Sequence, residues 1–276
     1  MREYRIKLEE NDGVAILIFA KLPRENFVKT RLASSILNSK EILQLYESFL
    51  LDTIDQANKS DAKKIVFSLT DTMAISTENI DDLSFFQTYG LVKNKKLFPI
   101  FHIQSEGIFG FRMKEAIIWG RSHGFKKIIV LGADSPQIQP SLLNNAILML
   151  NQYDVVLGPS SESGIYLIGI NQNLDLDGFE TIFEGVELSN FAKFVVNQSL
   201  TFTLLSELGD IDQESDLVGL ISWLESVELH LRLNPKENLD LKLSIPKNTL
   251  KTIKKLKLKI KVDDKNNRGK VIDKVK

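Results

Sequence analysis

The sequence contains no cysteine and no long apolar segment. The absence of cysteine excludes disulfides, thiolate zinc sites, iron–sulfur clusters and a cysteine nucleophile. The longest uninterrupted apolar run, at 14–20, has 7 residues, whereas a membrane-spanning helix needs about 20. The N-terminal segment mixes acidic with basic side chains and lacks the apolar core of a signal peptide. We therefore expect a cytoplasmic protein without a membrane span.

Histidine is also scarce, because the chain has only 3. His102, His123 and His230 lack the spacing of metal ligands, and no nucleophile elbow supports a Ser-His-Asp hydrolase. The rest of the composition is ordinary for a folded protein, with 276 residues of which 43% are hydrophobic and 26% charged. This length predicts one large domain, or a domain with an appendage.

The net charge of −1 hides an asymmetry between the body of the chain and its C-terminal segment. Residues 247–276 carry 11 Lys and 1 Arg against 3 Asp, a charge of +9, so the remaining residues sum to −10. A basic tail of this kind can bind a polyanion. The segment has no aromatic side chains on which bases could stack. A solvated lysine face is therefore the favoured interpretation, and no nucleic-acid partner is expected.

Short β-rich runs alternate along the chain with segments of helical spacing. The β-rich runs lie at 14–20, 65–69, 128–131, 155–157 and 165–168. The helical segments lie at 36–57, 112–122, 141–151, 186–197 and 214–226. This alternation predicts an α/β fold with a mostly parallel sheet. Such sheets bind ligands at the carboxyl ends of their strands, so the loops that follow strands are where chemistry is expected.

The pattern changes from about residue 227. Two runs with period-two alternation, 239–245 and 256–262, flank Pro246 and a short Lys-rich helical stretch. Lysines alternate along the second run, as suits an edge strand protected against aggregation. We therefore predict a nucleotide-binding domain over 1–226 and a small Lys-rich α/β accessory unit over 227–276. The accessory unit is expected to end in a frayed segment after Asp263 and to lie outside the ligand site.

The loop after the first strand carries four cations within eleven residues, namely Lys21, Arg24, Lys29 and Arg31. Guanidinium and ammonium groups at a strand end are suited to clamping a pyrophosphate. The loop is not a Walker motif, because the glycines required before the lysine are missing. A solvated basic loop is the alternative interpretation.

A second loop, Gly132–Pro136, directly follows the strand at 128–131. Gly132 allows a turn or a close approach to a ligand. Asp134 is then expected near the carboxyl edge of the sheet, where its carboxylate can hold Mg²⁺ or Mn²⁺ beside a diphosphate. A turn-forming aspartate before Ser-Pro is an equally good interpretation of the same residues.

Two further polar segments lie at 158–169 and 209–217. The first consists of small polar residues between two apolar runs, and a plain hairpin would also explain it. The second contains Asp210 and Asp212 as an Asp-x-Asp pair, followed by Asp216. A helix capped by Asp212 with an acidic first turn is the alternative there.

Taken in order, these segments resemble an uncharacterised bacterial family of the GT-A superfamily whose members are usually labelled nucleotide-diphospho-sugar transferases. The family motif F-A-K-x-P-x-x-G-x-V-K-T-R-L is matched by Phe19–Leu32, and G-A-D-S-P is intact at Gly132–Pro136. Further family motifs are similar to Gln104–Met113, Gly158–Gly169, Phe183–Val186 and Asp210–Leu217. The resemblance covers about residues 14–226.

The resemblance implies a three-layer α/β/α sheet that binds a nucleotide together with a divalent cation, Mg²⁺ or Mn²⁺. It implies that Asp134 is catalytic and ligates the cation, with Asp212, or less readily Asp210, as a second ligand. Phosphate contacts are implied for Ala20, Lys21, Lys29, Arg31 and Gly132. Acceptor or sugar contacts are implied for Arg112, Glu162, Ser163 and Gly164, and Glu162 would also be catalytic.

The implied activity is that of a metal-dependent glycosyltransferase-like protein, which uses a nucleotide-diphospho-sugar donor and an acceptor that the sequence does not identify. The molybdenum-cofactor and phospholactate guanylyltransferases are related to this family, so nucleotidyl transfer with release of pyrophosphate is an alternative. Both reactions develop negative charge on phosphate oxygens. A non-catalytic nucleotide-binding protein with a degraded acceptor site is a third hypothesis. The oligomeric state is not predicted.

Three departures from the family pattern bear on these hypotheses. Asn26 replaces a glycine, which is mild because asparagine tolerates the left-handed region. Ser163 also replaces a glycine, and Glu162 replaces an aspartate, which moves the carboxylate outward by about one methylene. The intact Asp134 is expected to matter most. Its substitution by Asn is predicted to weaken metal-dependent nucleotide binding with little effect on stability.

Overall fold

The computed structural model describes residues 13–34, 36–70, 100–233, 243–263 and 266–274. The chain divides into two compact units. The first, here called the sheet unit, consists of Met1–Ala20, Asp61–Gly132 and Asn144–Glu207. The second, here called the helix unit, consists of Lys21–Ser60, Ala133–Leu143 and Leu208–Lys276. The helix unit is therefore assembled from three separate segments of the chain.

The sheet has seven strands in the order β3-β2-β1-β4-β6-β5-β7. Their bounds are β1 Val14–Lys21, β2 Lys64–Thr70, β3 Ile100–Gln104, β4 Lys127–Gly132, β5 Val155–Pro159, β6 Ile165–Ile170 and β7 Phe202–Leu204. β1 pairs with β4, β2 with β3 and β5 with β7 in parallel, whereas β6 is antiparallel to both β4 and β5. The predicted α/β class with a mostly parallel sheet is confirmed.

Two of these strands, β3 and β7, were not predicted from the sequence. β7 has 3 residues, which is too short for a period to be recognised. β3 reads Ile-Phe-His-Ile-Gln, and its polar members weaken the apolar signal of a strand. Both strands nevertheless form ladders, β3 with β2 and β7 with β5.

The core of the sheet unit is built on β1, where every residue from Val14 to Ala20 is buried. Ala15, Leu17 and Phe19 alternate along the strand and join one hydrophobic cluster. Two helices contribute to the same cluster, α2 (Phe109–Ser122) through Met113, Ala116 and Ile117, and α4 (Glu187–Asn197) through Phe191 and Val195. The helix α3 spans Pro140–Met149.

The helix unit contains α1 (Ser39–Lys59), α5 (Glu214–Leu233) and α6 (Lys247–Lys255). A capping box starts α1, because the Asn38 side chain accepts from the Glu41 backbone N–H and the Glu41 carboxylate accepts from that of Asn38. The three helices share one hydrophobic cluster, whose members include Leu45, Phe49, Leu220, Leu224 and Ile253. No helix in the described ranges is long and apolar enough to cross a membrane.

The C-terminal segment differs from its prediction in one respect. β8 (Leu258–Asp263) pairs antiparallel with β9 (Asn266–Lys274), so the chain after Asp263 is not frayed but forms a strand. The signal was missed because the apolar step, Val271 and Ile272, is only two residues long and lies between Lys270 and Asp273. The predicted strand at 239–245 lies mostly outside the described residues.

The buried carboxylate of Asp52, on α1, holds the start of α6. It accepts from the Asn248 backbone N–H at 3.0 Å, the Asn248 Nδ2 at 2.9 Å and the Thr249 backbone N–H at 2.7 Å. The two backbone donors are among the N–H groups that a helix N-terminus leaves without intrahelical partners. Burial raises the pKa of Asp52 despite these hydrogen bonds. The accessory unit proposed from the sequence is thus tied to α1 by a specific polar contact.

Candidate functional site

A group of opposite charges in the helix unit surrounds the ammonium group of Lys29. Its Nζ lies 2.8 Å from Asp134 Oδ1 and 2.6 Å from Asp212 Oδ1. Only 5% of the Lys29 side chain is exposed, against 45% of Asp134 and 39% of Asp212. These three residues, here called the lysine–carboxylate cluster, come from sequence segments far apart, and each had been predicted to belong to one ligand site.

The backbone of the basic loop is tightly turned where it presents Lys29. Asn26 has φ 67° and Lys29 has φ 47°, both in the left-handed region. A 3-10 turn, Thr30–Leu32, follows directly, and the Leu32 backbone N–H donates to the Lys29 carbonyl at 2.9 Å. Val28 and Leu32 are buried on either side. The apolar neighbours anchor the loop and leave the Lys29 side chain directed at the carboxylates.

Backbone hydrogen bonds fix the two carboxylate-bearing segments against each other. The Ile211 backbone N–H donates to the Asp134 carbonyl at 2.9 Å. The Asp216 carboxylate accepts from the backbone N–H groups of Asp212 at 3.0 Å and Gln213 at 2.7 Å. Asp216, in the first turn of α5 (Glu214–Leu233), thus binds the backbone N–H groups just before that helix. The Asp212 carboxylate, to which one interpretation of the sequence gave a capping role, contacts Lys29.

The electrostatics of the cluster favour a charged Lys29. Burial by itself would lower the pKa of the Lys29 ammonium group, but the Asp134 and Asp212 carboxylates outweigh it and hold that pKa above its usual value. The pKa of the neighbouring Asp210 is raised, mainly because the group is desolvated and also because it faces Asp212 and Asp134. Asp210 is thus the less favourable place for an additional negative charge.

The two carboxylates of the cluster fit a divalent cation whose coordination is completed by a bound ligand. Asp134 and Asp212 are hard carboxylates with partly exposed oxygens. Across the described part of the chain, no group of three or more His, Asp or Glu side chains is arranged to enclose a metal ion. Magnesium is commonly held by one or two carboxylates together with substrate phosphates rather than by a protein cage. Two carboxylates beside a basic loop match that arrangement.

Of the other predicted phosphate-binding cations, one lies beside the cluster. Arg31 Nη1 is 3.9 Å from Asp212 Oδ2, and 73% of its side chain is exposed. Lys21 instead donates from Nζ to the Phe27 carbonyl at 3.4 Å. Its backbone is held by Tyr46, whose hydroxyl accepts from the Lys21 N–H at 3.0 Å and donates to the Lys21 carbonyl at 2.9 Å. Tyr46 lies in the helical segment predicted at 36–57, and no polar role was predicted for it. Its hydroxyl group was the available signal.

In the sheet unit, Arg112 belongs to a separate polar group. Its Nη1 donates to Gln104 Oε1 at 2.6 Å, and Gln104 Nε2 donates to the carbonyls of Ser68 at 2.7 Å and Ala20 at 3.4 Å. The guanidinium carbon lies 5.8 Å from the ring centre of Phe19. Burial lowers the pKa of Arg112. Gln104 had been noted only as the first residue of the motif Gln104–Met113. Its side chain joins two predicted site residues, Ala20 and Arg112, by hydrogen bonds.

Gly132 ends β4 without a conformational need for glycine. A Cβ there would meet only the Tyr166 carbonyl, at the ordinary distance of 3.7 Å. Gly132 is also outside the left-handed region, so the bend that follows at residues 133 and 134 does not require glycine there. Close approach of a ligand remains a prediction for this position.

The loop between β5 and β6 carries the predicted acceptor residues. β5 and β6 pair antiparallel, so the loop does connect a hairpin. Glu162 has φ 56° and Ser163 has φ 68°, both in the left-handed region, where side chains other than glycine are strained. A Cβ at Gly164 would lie 2.5 Å from Ser160 Oγ, so a larger residue there would displace the serine hydroxyl. These residues belong to the sheet unit, and the lysine–carboxylate cluster belongs to the helix unit.

Two solved structures share the fold of this chain. One is a protein from Desulfovibrio desulfuricans G20, provisionally described as a nucleotide-diphospho-sugar transferase, with 21% identity, a TM-score of 0.65, and coverage of 88% of this chain and 96% of that chain. Another is 4-diphosphocytidyl-2C-methyl-D-erythritol synthase from Anaerococcus prevotii DSM 20548, with 9% identity, a TM-score of 0.51, and coverage of 77% and 96%. At these identities the two structures show that the fold is shared.

The sequence itself assigns the chain to a family. Residues 53–190 match the bacterial family described as "Uncharacterized protein conserved in bacteria (DUF2064)", and the chain belongs to it. The matched range contains Arg112, Gly132, Asp134 and Glu162 but ends before Asp212. No curated protein matches the chain.

Proposed function

We propose that this chain is a transferase that binds a nucleotide-activated small molecule, through its phosphates and a divalent cation, at the lysine–carboxylate cluster. The observation that carries the proposal is the buried ammonium group of Lys29 between two partly exposed carboxylates. A structural ion pair does not need exposed carboxylate oxygens. A site that binds a cation and a phosphate needs both the exposed oxygens, for the cation, and the ammonium group, for the phosphate. The shared fold with a nucleotide-diphospho-sugar transferase supports the same class of ligand.

The charges of the cluster also support a cation together with an anion rather than an anion alone. Asp134 and Asp212 contribute two negative charges, and Lys29 returns one positive charge. A nucleoside diphosphate that met these carboxylates unaided would be repelled. A divalent cation on Asp134 and Asp212 reverses the sign of that interaction and supplies the charge that stabilises phosphate oxygens during transfer.

In this proposal the side chains of the helix unit have distinct roles. Asp134 and Asp212 hold the cation through their exposed oxygens. Lys29 provides a fixed positive charge for the phosphates, because its pKa lies above the usual value. Arg31, exposed beside Asp212, can form a bidentate contact with a phosphate. Water is replaced around the phosphates by groups that the fold has already positioned.

The sheet-unit residues enter the proposal as the acceptor or sugar side, again as predictions from the sequence. Arg112 is positioned by Gln104 and so offers an oriented guanidinium group. Glu162 stands at a left-handed position in the β5–β6 loop. Glycosyl transfer from a nucleotide-diphospho-sugar is the reaction proposed. The alternative is a non-catalytic nucleotide-binding protein with a degraded acceptor site. It is retained because Ser163 has a strained backbone conformation in the β5–β6 loop.

The experiment is a panel of nucleotide sugars and nucleoside triphosphates, tested by thermal shift and isothermal titration with and without Mn²⁺. A bound ligand stabilises a fold by ~2.7 kcal/mol at a concentration 100-fold above its Kd. We expect a nucleotide-diphospho-sugar to bind in the presence of Mn²⁺ and to bind weakly without it.

The arms of this panel separate the alternatives. Preference for a triphosphate, with release of pyrophosphate, would favour nucleotidyl transfer. Tight binding of a nucleotide sugar without turnover of any acceptor would favour a non-catalytic protein. If no nucleotide binds under either condition, the proposal is wrong.

A further inference from the structure

We propose that the Lys29 ammonium group and the divalent cation compete for the Asp134 and Asp212 carboxylates, and that phosphate relieves this competition by becoming the new partner of Lys29. The inference rests on the proposed function, since it concerns the same cluster. It goes beyond that function by assigning to Lys29 the coupling between binding of phosphate and binding of the cation.

The competition follows from which atoms are shared. Lys29 Nζ contacts Asp134 Oδ1 at 2.8 Å and Asp212 Oδ1 at 2.6 Å, which are charge-assisted hydrogen-bond distances. A cation that used the same two carboxylates would meet a like charge already buried between them. Two positive charges on one pair of carboxylates repel, and the repulsion is weakly screened because the Lys29 side chain is only 5% exposed.

The backbones that carry these side chains are held in place. The Asp134 carbonyl accepts from the Ile211 backbone N–H, and the Asp212 backbone N–H donates to the Asp216 carboxylate. The Lys29 carbonyl accepts from the Leu32 backbone N–H. A change of partner therefore falls to rotation of the side chains, and that of Lys29 has four carbons about which to turn its ammonium group. A switch of partner by this side chain needs no rearrangement of the fold.

Phosphate supplies the reason for the switch. A buried ammonium group that left both carboxylates without another anion would lose its partners at a large cost. A phosphate oxygen offers Lys29 an equivalent partner, so that the carboxylates become available to the cation. The two ligands are then expected to bind with positive coupling, each raising the affinity for the other by the same factor.

The test measures Mn²⁺ binding to the full chain by electron paramagnetic resonance, without any assay of turnover. Lys29→Met removes the competing charge and keeps an aliphatic chain of similar length. We expect it to bind Mn²⁺ alone about tenfold more tightly than the wild type. Lys29→Arg keeps the charge and is expected to bind Mn²⁺ as weakly as the wild type. Lys29→Gln is a second neutral variant if the methionine variant does not fold.

Lys114→Met is the matched control. Lys114 Nζ forms an ion pair with Glu180 at 3.0 Å in the sheet unit, so its removal also frees a carboxylate from a lysine. It should leave the Mn²⁺ affinity unchanged. An equal increase in this control would show a general effect of lost positive charge and would overturn the proposal.

A second arm titrates the preformed Mn²⁺–pyrophosphate complex. The wild type should bind this complex at least tenfold more tightly than Mn²⁺ alone, and the advantage should shrink in Lys29→Met. If the wild type binds the complex while Lys29→Met binds Mn²⁺ no more tightly than the wild type, the competition is refuted and the proposed function stands. If the wild type binds neither Mn²⁺ nor the complex, the proposed function fails as well.

Discussion

Two buried basic side chains, one in each unit, have pKa values shifted in opposite directions. In the sheet unit, His102 is 8% exposed, its Nδ1 lies 3.0 Å from Ser68 Oγ, and burial together with the nearby His123 lowers its pKa to about 4. In the helix unit, burial is again the largest influence on Lys29, but two carboxylates reverse the outcome and raise its pKa. The partners therefore decide the charge of a buried base. His102 is a neutral packing group, while Lys29 keeps a charge that a ligand can use.

The same contrast recurs in two turns that occupy glycine positions of the family pattern. Asn26 of the helix unit has φ 67°, and Ser163 of the sheet unit has φ 68°. Asparagine is one of the few residues that tolerates this region, whereas serine is strained there. The departure beside the lysine–carboxylate cluster is thus mild, and the departure in the β5–β6 loop is severe. This difference predicts that nucleotide binding is retained more fully than the acceptor function.

The largest expected effect comes from Asp134→Asn. The substitution removes one anionic ligand, so nucleotide affinity in the presence of Mn²⁺ should fall about 100-fold, or ~2.7 kcal/mol. Stability should also fall by about 1–2 kcal/mol, because Lys29 loses a charged hydrogen bond. Isothermal titration and chemical denaturation measure the two effects. From the sequence alone, little change in stability was expected. The ion pair of Asp134 with Lys29 is the reason that a loss of stability is now expected.

Asp154→Asn is the control that separates a loss of nucleotide affinity from a loss of stability. Asp154 accepts hydrogen bonds from Asn171, Asn173 and Thr201 in the sheet unit, and these interactions keep its pKa below the usual value. Its substitution should destabilise the protein and leave nucleotide affinity unchanged. Equal losses of affinity in both variants would mean that Asp134 acts only through stability.

The alternation of apolar runs was enough to predict the α/β class, five of the seven strands and five helices, because periodicity reports which side chains are buried. The residues of the lysine–carboxylate cluster were predicted to share one ligand site from their places after a strand or in a motif. The direct ion pairs of Lys29 with Asp134 and Asp212 were beyond the sequence, since they depend on how segments at 29, 134 and 212 meet. The role of Tyr46 was missed for the same reason, because its hydroxyl contacts the backbone of Lys21, 25 residues away. Asp216 acts locally, on the backbone N–H groups of Asp212 and Gln213.

An effect similar in size to that of Asp134→Asn, but on the pH dependence of stability, is expected from His102. Its pKa falls from 6.5 to about 4 on folding, so the unfolded chain takes up a proton first. The contribution of His102 is fully present above pH 6.5 and is lost as the pH falls towards 4. A shift of this size corresponds to about 3 kcal/mol. Denaturation of wild type and His102→Gln between pH 7 and 4 should show this difference in slope.

His123→Gln is the control for that comparison. His123 is exposed and only adds to the effect of burial on His102. Its variant should keep most of the wild-type slope between pH 7 and 4. A His102→Gln variant with the same pH dependence as the wild type would contradict the neutral, buried state of His102.

A smaller effect is expected for Ser163→Gly in the β5–β6 loop. Glycine adopts φ 68° without strain, so stability should rise by about 1 kcal/mol. Ser161→Gly is the matched control in the same turn, where φ is not positive and glycine should destabilise by a few tenths to about 1 kcal/mol. Urea denaturation of both variants measures the contrast. Destabilisation by Ser163→Gly would show that the serine hydroxyl contributes more than the strain costs.

The smallest effect is expected for Asn26→Gly, which tests the same backbone conformation beside the lysine–carboxylate cluster. Asparagine adopts the left-handed region at a modest cost, while glycine increases the entropy of the unfolded chain. These contributions oppose each other, so the free energy of unfolding should change by only ~0.5 kcal/mol or less. Nucleotide affinity should also stay within a few-fold, because the loop keeps its buried anchors at Val28 and Leu32. A gain as large as that of Ser163→Gly would remove the distinction between the two turns, and with it the argument that the strain is concentrated in the β5–β6 loop.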